Sequence, residues 1–244
     1  MSISTRQEQI LDILKERTYI TVQELSQLTF TSASSIRRDL TYLQDNGLVK
    51  RLHGGVSSVA PLANVASFYD RIHKNVKEKR LIAQKASFLL KDGQTVLLDS
   101  STTATFLLPY IAKHHDITVF TNNLTTALQA IELGIETHCL GGRAIHGGTV
   151  LSGAETFSAL ANINVDILFF SSQALDSYGS ISDMTQEENY IRKVMLDSAK
   201  QKVFLCDSEK FNTTATYKLC NLNEIDYAVF DIPYPDLSSD CKQL

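Results

Sequence analysis

The chain has little cysteine, and none of it is paired at short spacing. Cys139, Cys206, Cys220 and Cys241 are far apart and form no C-x-x-C, which removes the usual zinc spacing and a dithiol redox pair. Cys139 and Cys206 lie inside apolar runs and read as buried thiols. No apolar run approaches the roughly 20 residues of a membrane span. The start, MSISTRQEQILDIL, is polar and amphipathic and lacks the apolar stretch of a signal peptide. A cytoplasmic protein without a membrane partner is the expectation. Absent too are G-x-x-x-x-G-K and G-x-G-x-x-G, so neither a nucleotide P-loop nor a dinucleotide site is expected. No cofactor or metal is implied, and no repeat or low-complexity tract stands out. Net charge is only −4, which argues against nonspecific coating of nucleic acid.

What is present is a soluble composition, 43% apolar and 20% charged over 244 residues. That length accommodates a small domain and a medium one. The charge is unevenly placed. Residues 1–58 hold seven Lys/Arg and six Asp/Glu, whereas the remainder holds sixteen and twenty-one. The segment SSVAPLAN, from Ser57, is rich in small residues and contains Pro61, as linkers do. The expected division is 1–58, a linker and connecting helix over 59–77, and a body over 78–244.

Within the first part, residues 4–17 predict an amphipathic helix with Ile10, Ile13 and Leu14 inward, and Thr18 to Ile20 a link. Val22, Leu25 and Leu28 repeat at helical spacing, and Phe30 and Thr31 break the pattern. Ser32 is a suitable N-cap. Ile36, Leu40 and Leu43 follow at i, i+4, i+7 and share one buried face. At about 100° per residue, Ser34 and Arg38 fall opposite, with Ser35 and Arg37 on the flanks. Small hydroxyls permit close approach to a major groove, and a guanidinium grips guanine or phosphate. Asn46-Gly47 predicts a left-handed C-cap. Leu48 to His53 reads as a strand, Gly54-Gly55 as a hairpin turn and Val56 onward as the return strand. A basic hairpin after such a helix is a wing, with Lys50, Arg51 and His53 in reach of phosphates or the minor groove. The plain alternative is that Arg37 and Arg38 are solvated charges on a small bundle.

From residue 78 the texture becomes alternating helices and short apolar strands. Strands are expected at 95–98, 117–120, 137–140, 167–170, 203–206 and 227–230. Helices are expected at 78–91, 102–113, 123–133, 154–162 and 185–200. Such alternation argues for a parallel sheet covered on both faces. Ligands bind beyond the carboxyl ends of such strands, where polar clusters fall: Asp99-Ser100-Ser101-Thr102-Thr103, Thr121-Asn122-Asn123, Gly141-Gly142-Arg143, Ser171-Ser172-Gln173 and Asp207-Ser208-Glu209-Lys210. They are expected on one rim. Ser100–Thr103 is a hydroxyl run at a strand-to-helix turn, either an anion cradle for a compact phosphate ester or simple N-capping. Lys210 is a candidate counter-charge, and Asp99, Asn122 and Asn123 are candidates for sugar hydroxyls. Arg71, Lys74, Lys77, Lys79 and Arg80 read as a solvated helix face, and Glu188 to Arg192 as a surface i, i+4 pair.

These residues resemble the DeoR family of bacterial transcription regulators. The likeness rests first on Ser32, Ser35, Ile36-Arg37-Arg38-Asp39-Leu40, Asn46-Gly47 and Arg51-x-His53-Gly54-Gly55. It continues through Phe68, Arg71, Glu78-Lys79, Asp99, Thr102-Thr103, Thr121-Asn122-Asn123, Gly141-Gly142, Glu188, Arg192-Lys193, Met195 and Asp207-Ser208-x-Lys210-Phe211, so it spans about residues 3–232. Two places depart from it. Many members carry Gly-Ala-Asp/Asn-Gly where this chain has Ser171-Ser172-Gln173-Ala174, and an Arg where it has Ile145.

The resemblance implies an N-terminal winged helix-turn-helix and a C-terminal α/β domain similar to sugar-phosphate isomerases. It implies double-stranded operator DNA and a phosphorylated sugar as partners, and a homo-oligomer, dimer or tetramer. It adds Glu188 and Lys193 to the ligand residues. The leading expectation is a repressor of a carbohydrate operon with no catalytic residue. Activation rather than repression stays open. So does an isomerase with an appended reader, whose base would be Asp99, Asp183 or Glu187.

Overall fold

The computed structural model describes residues 3–16, 19–52, 54–58, 68–145, 149–234 and 241–244. The chain divides into two compact units, 1–65 and 66–244.

The first unit contains α1 (Thr5–Glu16), β1 (Tyr19–Thr21), α2 (Val22–Leu28), α3 (Ala33–Asp45), β2 (Val49–Leu52) and β3 (Gly55–Ser58). Local chemistry sets the boundaries. Thr21 and Glu24 form a reciprocal capping box that starts α2. Ser32 caps α3 by accepting from the Ser35 N–H. Between these helices Phe30 is left-handed, at φ +51°. α3 stops where Gly47 takes φ +70°: the Gly47 N–H donates to Gln44 O and the Leu48 N–H to Leu43 O, the paired bonds that satisfy a helix's last carbonyls. Ile10, Leu14, Leu25, Ile36, Leu40 and Leu43 from the three helices meet Ile20, Val49 and Val56 from the strands in one core.

Two details differ from the sequence reading. Residues 19–21, expected as a link, form a strand: β1 pairs antiparallel with β3, giving the order β1-β3-β2. Gly55, expected in the turn, is buried in β3 and pairs with both Leu52 and Thr21. The return strand thus begins one residue earlier, after Gly54 at φ +79°. His53 lies outside the described residues, as do 59–67 of the expected linker.

The second unit opens with α4 (Phe68–Ile72), α5 (Val76–Ala86), β4 (Thr95–Leu98), α6 (Thr102–Thr105), α7 (Leu108–Ile111), β5 (Thr118–Thr121), α8 (Leu124–Glu132) and β6 (Glu136–Cys139). Then come β7 (Arg143–Ile145), β8 (Val150–Ser152), α9 (Ala154–Ala161), β9 (Val165–Phe170), β10 (Ala174–Leu175), β11 (Ser180–Asp183), α10 (Gln186–Ser198), β12 (Ala199–Cys206), β13 (Tyr217–Asn221), β14 (Tyr227–Phe230) and β15 (Lys242–Gln243). Seven strands make one sheet, ordered β15-β14-β12-β9-β4-β5-β6, and every pairing is parallel. Alternate residues feed opposite layers. Leu97, Leu168, Phe170, Phe204 and Phe230 enter one core; Val96, Leu98, Ile167, Phe169 and Val203 enter the other. This double burial is why the strands read as continuous apolar runs.

The order reverses between β4 and β9, which sit side by side although β5 and β6 intervene in the chain. That reversal opens a crevice at the carboxyl end of the sheet, where doubly wound folds hold ligands.

Several features were not read from the sequence, the edge strand β15 among them. The helix expected over 102–113 is two short ones, α6 and α7. α4 and α5 are separated by residues 73–75, with Asn75 left-handed at φ +53°. A small antiparallel sheet, β10-β11-β13, and a hairpin, β7-β8, form apart from the main sheet. Among the described residues no helix is long and apolar enough to cross a membrane.

Candidate nucleic-acid interface and ligand rim

On α3 the buried and exposed faces separate cleanly. Ile36, Asp39, Leu40 and Leu43 are buried, while Ser32, Ser34, Arg37 and Arg38 are exposed and Ser35 is half-buried. Asp39 does not neutralise the adjacent arginines. It turns inward to accept from Arg6 Nε and Nη2 and from Gln7 Nε2 of α1. Arg37 and Arg38 form no side-chain ion pair among the described residues, so both guanidinium groups stay available. The serines at the helix start bond one another: Ser32 Oγ lies 3.0 Å from both Ser34 Oγ and Ser35 Oγ. The wing is tied to the same surface, because exposed Arg51 donates through Nη1 to Thr41 Oγ1 at 3.3 Å. Gly54 O, at the wing's tip, accepts from the Val22 N–H.

In the second unit all the parallel strands end on one edge, so their terminal polar clusters share a rim. At its centre is a buried ionic group. Arg192 of α10 donates through Nε to Asp99 Oδ2 at 2.9 Å, through Nη1 to Asp183 Oδ2 at 2.7 Å and through Nη2 to Glu188 Oε2 at 3.2 Å. All four side chains are at most 3% exposed. The three carboxylates push the guanidinium further toward its charged form, against the cost of burial. Asp99 also accepts from the backbone N–H groups of Ser101 and Ser171, which pins the ends of β4 and β9 across the switch point. Ser172 Oγ joins this group through Ser182 O and Asp183 Oδ2. The expected surface pair of Glu188 and Arg192 is therefore a buried structural cluster, because the α10 face that carries it packs onto the sheet's end.

A narrow crevice beside this cluster is lined by Asp99, Ser100, Asn122, Glu188, Ile191, Arg192 and Met195. Asn122 donates to Leu151 O and leaves its buried Oδ1 without a partner among the described residues. Thr149 Oγ1, Ser152 Oγ and Thr185 Oγ1 are likewise buried and unbonded there. Buried polar atoms in such numbers at one end of a sheet are what a polar ligand satisfies.

The hydroxyl turn is partly accounted for by capping. Ser101 Oγ accepts from the Ala104 N–H, and Thr105 Oγ1 donates to Ser101 O. Ser100, Thr102 and Thr103 are buried with no side-chain hydrogen bond among the described residues. Asn123 caps α8 by accepting from the Thr126 N–H, which leaves its Nδ2 unpartnered.

Both units match known proteins. The family model for the DeoR-like helix-turn-helix domain matches residues 6–61, and that for the DeoR C terminal sensor domain matches residues 74–232. The chain belongs to the DeoR family. The HTH-type transcriptional regulator GolR of Listeria innocua is 30% identical, covering 93% of this chain and 89% of that protein. The HTH-type transcriptional repressor GlcR of Bacillus subtilis is 31% identical, covering 91% and 86%. Among solved structures, ribose 5-phosphate isomerase A of Methanocaldococcus jannaschii overlaps 57% of this chain and 55% of its own, with TM-score 0.43 and 17% identity.

Not every residue singled out from the DeoR resemblance reaches the crevice. Lys193 is exposed on α10; one residue beyond Arg192, it lies on a different face, and its charge acts on Cys220 of β13. Gly141 and Gly142 are exposed but have a packing role. Gly142 takes φ +127°, and a Cβ there would sit 2.3 Å from Thr156 Oγ1 and 2.7 Å from Ser152 O. Cys139, expected buried, is exposed, because β6 is an edge strand. Lys210 does reach the rim: its Nζ lies 3.1 Å from Ser171 Oγ and 3.1 Å from Asp207 Oδ2. Arg143, two positions before Ile145, pairs with Glu187 at the surface.

The expected solvated face over 71–80 also fails at Lys79 and in part at Arg71, whose Nε is buried. Lys79 is only 4% exposed, and its Nζ donates to Arg71 O and to Lys74 O. The sequence reading missed Lys79 and Arg192 as buried charges. The one signal in the chain was that both stand at family-typical positions.

Proposed function

We propose that this DeoR-family chain is a repressor of a carbohydrate-metabolism operon. It binds double-stranded operator DNA through α3 and the wing, and releases it when a phosphorylated sugar occupies the rim of the second unit. The observation that carries the reading is the exposed α3 face, where Ser34, Arg37 and Arg38 stand with no acidic partner because Asp39 is turned into the core. Ser32, Ser35, Arg51, His53, Gly54 and Gly55 complete the DNA-contacting set by position, Gly55 as backbone support.

For the ligand we propose Asp99, Ser100, Thr102, Thr103, Asn122 and Lys210 as first contacts, with Ser101, Asn123, Gly141, Gly142 and Glu188 shaping the site. Lys193 is left out because of its face. Relatives named as repressors support the sign of regulation, and one is named for the glycerol-3-phosphate regulon. Operator symmetry favours a homo-oligomer, since a second reader doubles the contacts.

The isomerase alternative is weaker. Its candidate bases Asp99 and Asp183 are committed to the buried Arg192 cluster, and Glu187 lies at the surface in a pair with Arg143. The test is footprinting of the purified protein on DNA flanking its own gene, with a panel of sugar phosphates added. A protected half-site pair that one phosphorylated sugar erases is the expected result. Protection indifferent to every such sugar would refute the sensor.

A further inference from the structure

We infer that the edge of the second unit formed by β6 and α8 is an interface between two copies of this chain, in which the two β6 strands pair antiparallel about a two-fold axis and join the sheets. The inference rests on the homo-oligomer reading above and names the surface that makes it. β6 ends the seven-stranded sheet and pairs only with β5 among the described residues. The Leu140 N–H, just past β6, donates to Thr121 O of β5. Alternation along the strand therefore aims the N–H and C=O of Thr137 away from the sheet, toward the open edge.

An apolar stripe flanks this edge. Ala127 and Ala130 of α8 are buried, and Thr126 Oγ1 meets Thr105 Oγ1 of α6 at 2.8 Å, which fixes the side of α8 that faces inward. At about 100° per residue, Leu124, Leu128 and Ile131 fall on the other flank, away from α6 and on the side of β6. They are 37%, 63% and 58% exposed, and their i, i+4, i+7 spacing makes one stripe. Thr137 pairs with Val119, which shares a core layer with Ala130, so α8 covers the Thr137 face of β6. An open strand edge with a parallel apolar stripe is a surface that proteins otherwise cover or blunt.

The occupant is a second copy because the edge is complementary to itself. A two-fold axis at Thr137 sets its outward N–H and C=O against those of the partner's Thr137. The same register places acidic Glu136 opposite the partner's His138, and His138 opposite the partner's Glu136. Opposite charges directly across an antiparallel pair are favourable, and the symmetry forms this pair twice. Within one copy His138 Nε2 lies 3.8 Å from Glu136 Oε1, too long for a hydrogen bond, while stacking on Phe120 at 4.7 Å holds the imidazole in place. On the opposite face the two α8 stripes meet across the same axis and bury each other.

Sedimentation equilibrium on the full chain tests this, with far-UV circular dichroism to follow the fold. Leu128→Lys with Ile131→Lys is the first variant, since both side chains are exposed and the fold of one copy does not need them. It is expected to halve the mass of the wild-type assembly, dimer to monomer or tetramer to dimer, with an unchanged spectrum. Glu136→Lys and His138→Glu are each expected to weaken association about tenfold, and the two together to restore it, because the pair is then exchanged rather than lost. Wild-type mass retained by the lysine variant would overturn this surface and leave the homo-oligomer reading standing. Dissociation without rescue by the exchanged pair would overturn the strand pairing. A wild type that sediments as a monomer would overturn the homo-oligomer reading itself, and this surface with it.

Discussion

At the scale of single residues, charge placement decides what each group does. Arg38 is solvated and forms no ion pair among the described residues, and the proposed reading gives it a contact on DNA. Arg38→Ala is expected to cost about 1–3 kcal/mol of specific binding and to relax sequence preference at one position, as read by competition footprinting. Arg192 is the reverse case, buried among three carboxylates. Removing one partner of a buried ionic group leaves the others uncompensated, so Arg192→Leu should destabilise the second unit by about 3–5 kcal/mol in urea unfolding. Lys79 lends itself to a pH experiment. Folded, its pKa is about 8, below the ordinary lysine value of 10.5. Between those values the unfolded chain binds a proton that the folded chain does not, so stability rises with pH across that window. Below about pH 8 both states are charged and the destabilisation is fully present. Asp207, Lys210, Arg71 and Lys74 surround the amine. The melting temperature of the wild type should therefore climb from pH 8 to 10 relative to Lys79→Met.

At the scale of elements, the regular parts follow from local rules. α3 begins at a serine cap and ends at Gly47, and its apolar face repeats at helical spacing, so its limits and its buried side were legible in advance. Six of the seven sheet strands were legible as short, mostly apolar runs ending in polar residues; β15, two polar residues long, was not. The Gly141-Gly142 pair was legible as a motif but not as packing. Gly142 combines φ +127° with a contact to the backbone of Ser152, so both the conformation and the space exclude a Cβ. Gly142→Ala should cost about 1–3 kcal/mol and disturb the β7-β8 hairpin, detectable as faster amide exchange at Arg143 and Ser152. The hairpin and the β10-β11-β13 sheet escaped the sequence reading because strands of two to five residues carry too few alternations to stand out.

At the scale of the whole molecule, the proposed function puts two ligands on one chain, operator DNA and a sugar phosphate, tied by linkage. If a sugar phosphate weakens operator affinity by some factor, operator DNA must weaken sugar-phosphate affinity by the same factor. Calorimetric titration of the effector into free protein and into the operator complex should return that shared factor. Equal effector affinities in the two titrations would mean that the sensor does not control the reader.

The sequence by itself determined the two-part architecture, the reader helix and the identity of the rim loops. Each is written in contiguous residues: a cap, a period, a run of hydroxyls after a strand. Only the tertiary structure decided which charges are buried and whom they face. Asp99 and Arg192 are 93 positions apart and Asn75 and Asp207 are 132 apart, and nothing local distinguishes a lysine on a solvated face from Lys79. The reason is physical: desolvation and charge balance depend on everything within a few ångströms, and chain folding, not chain order, sets that neighbourhood.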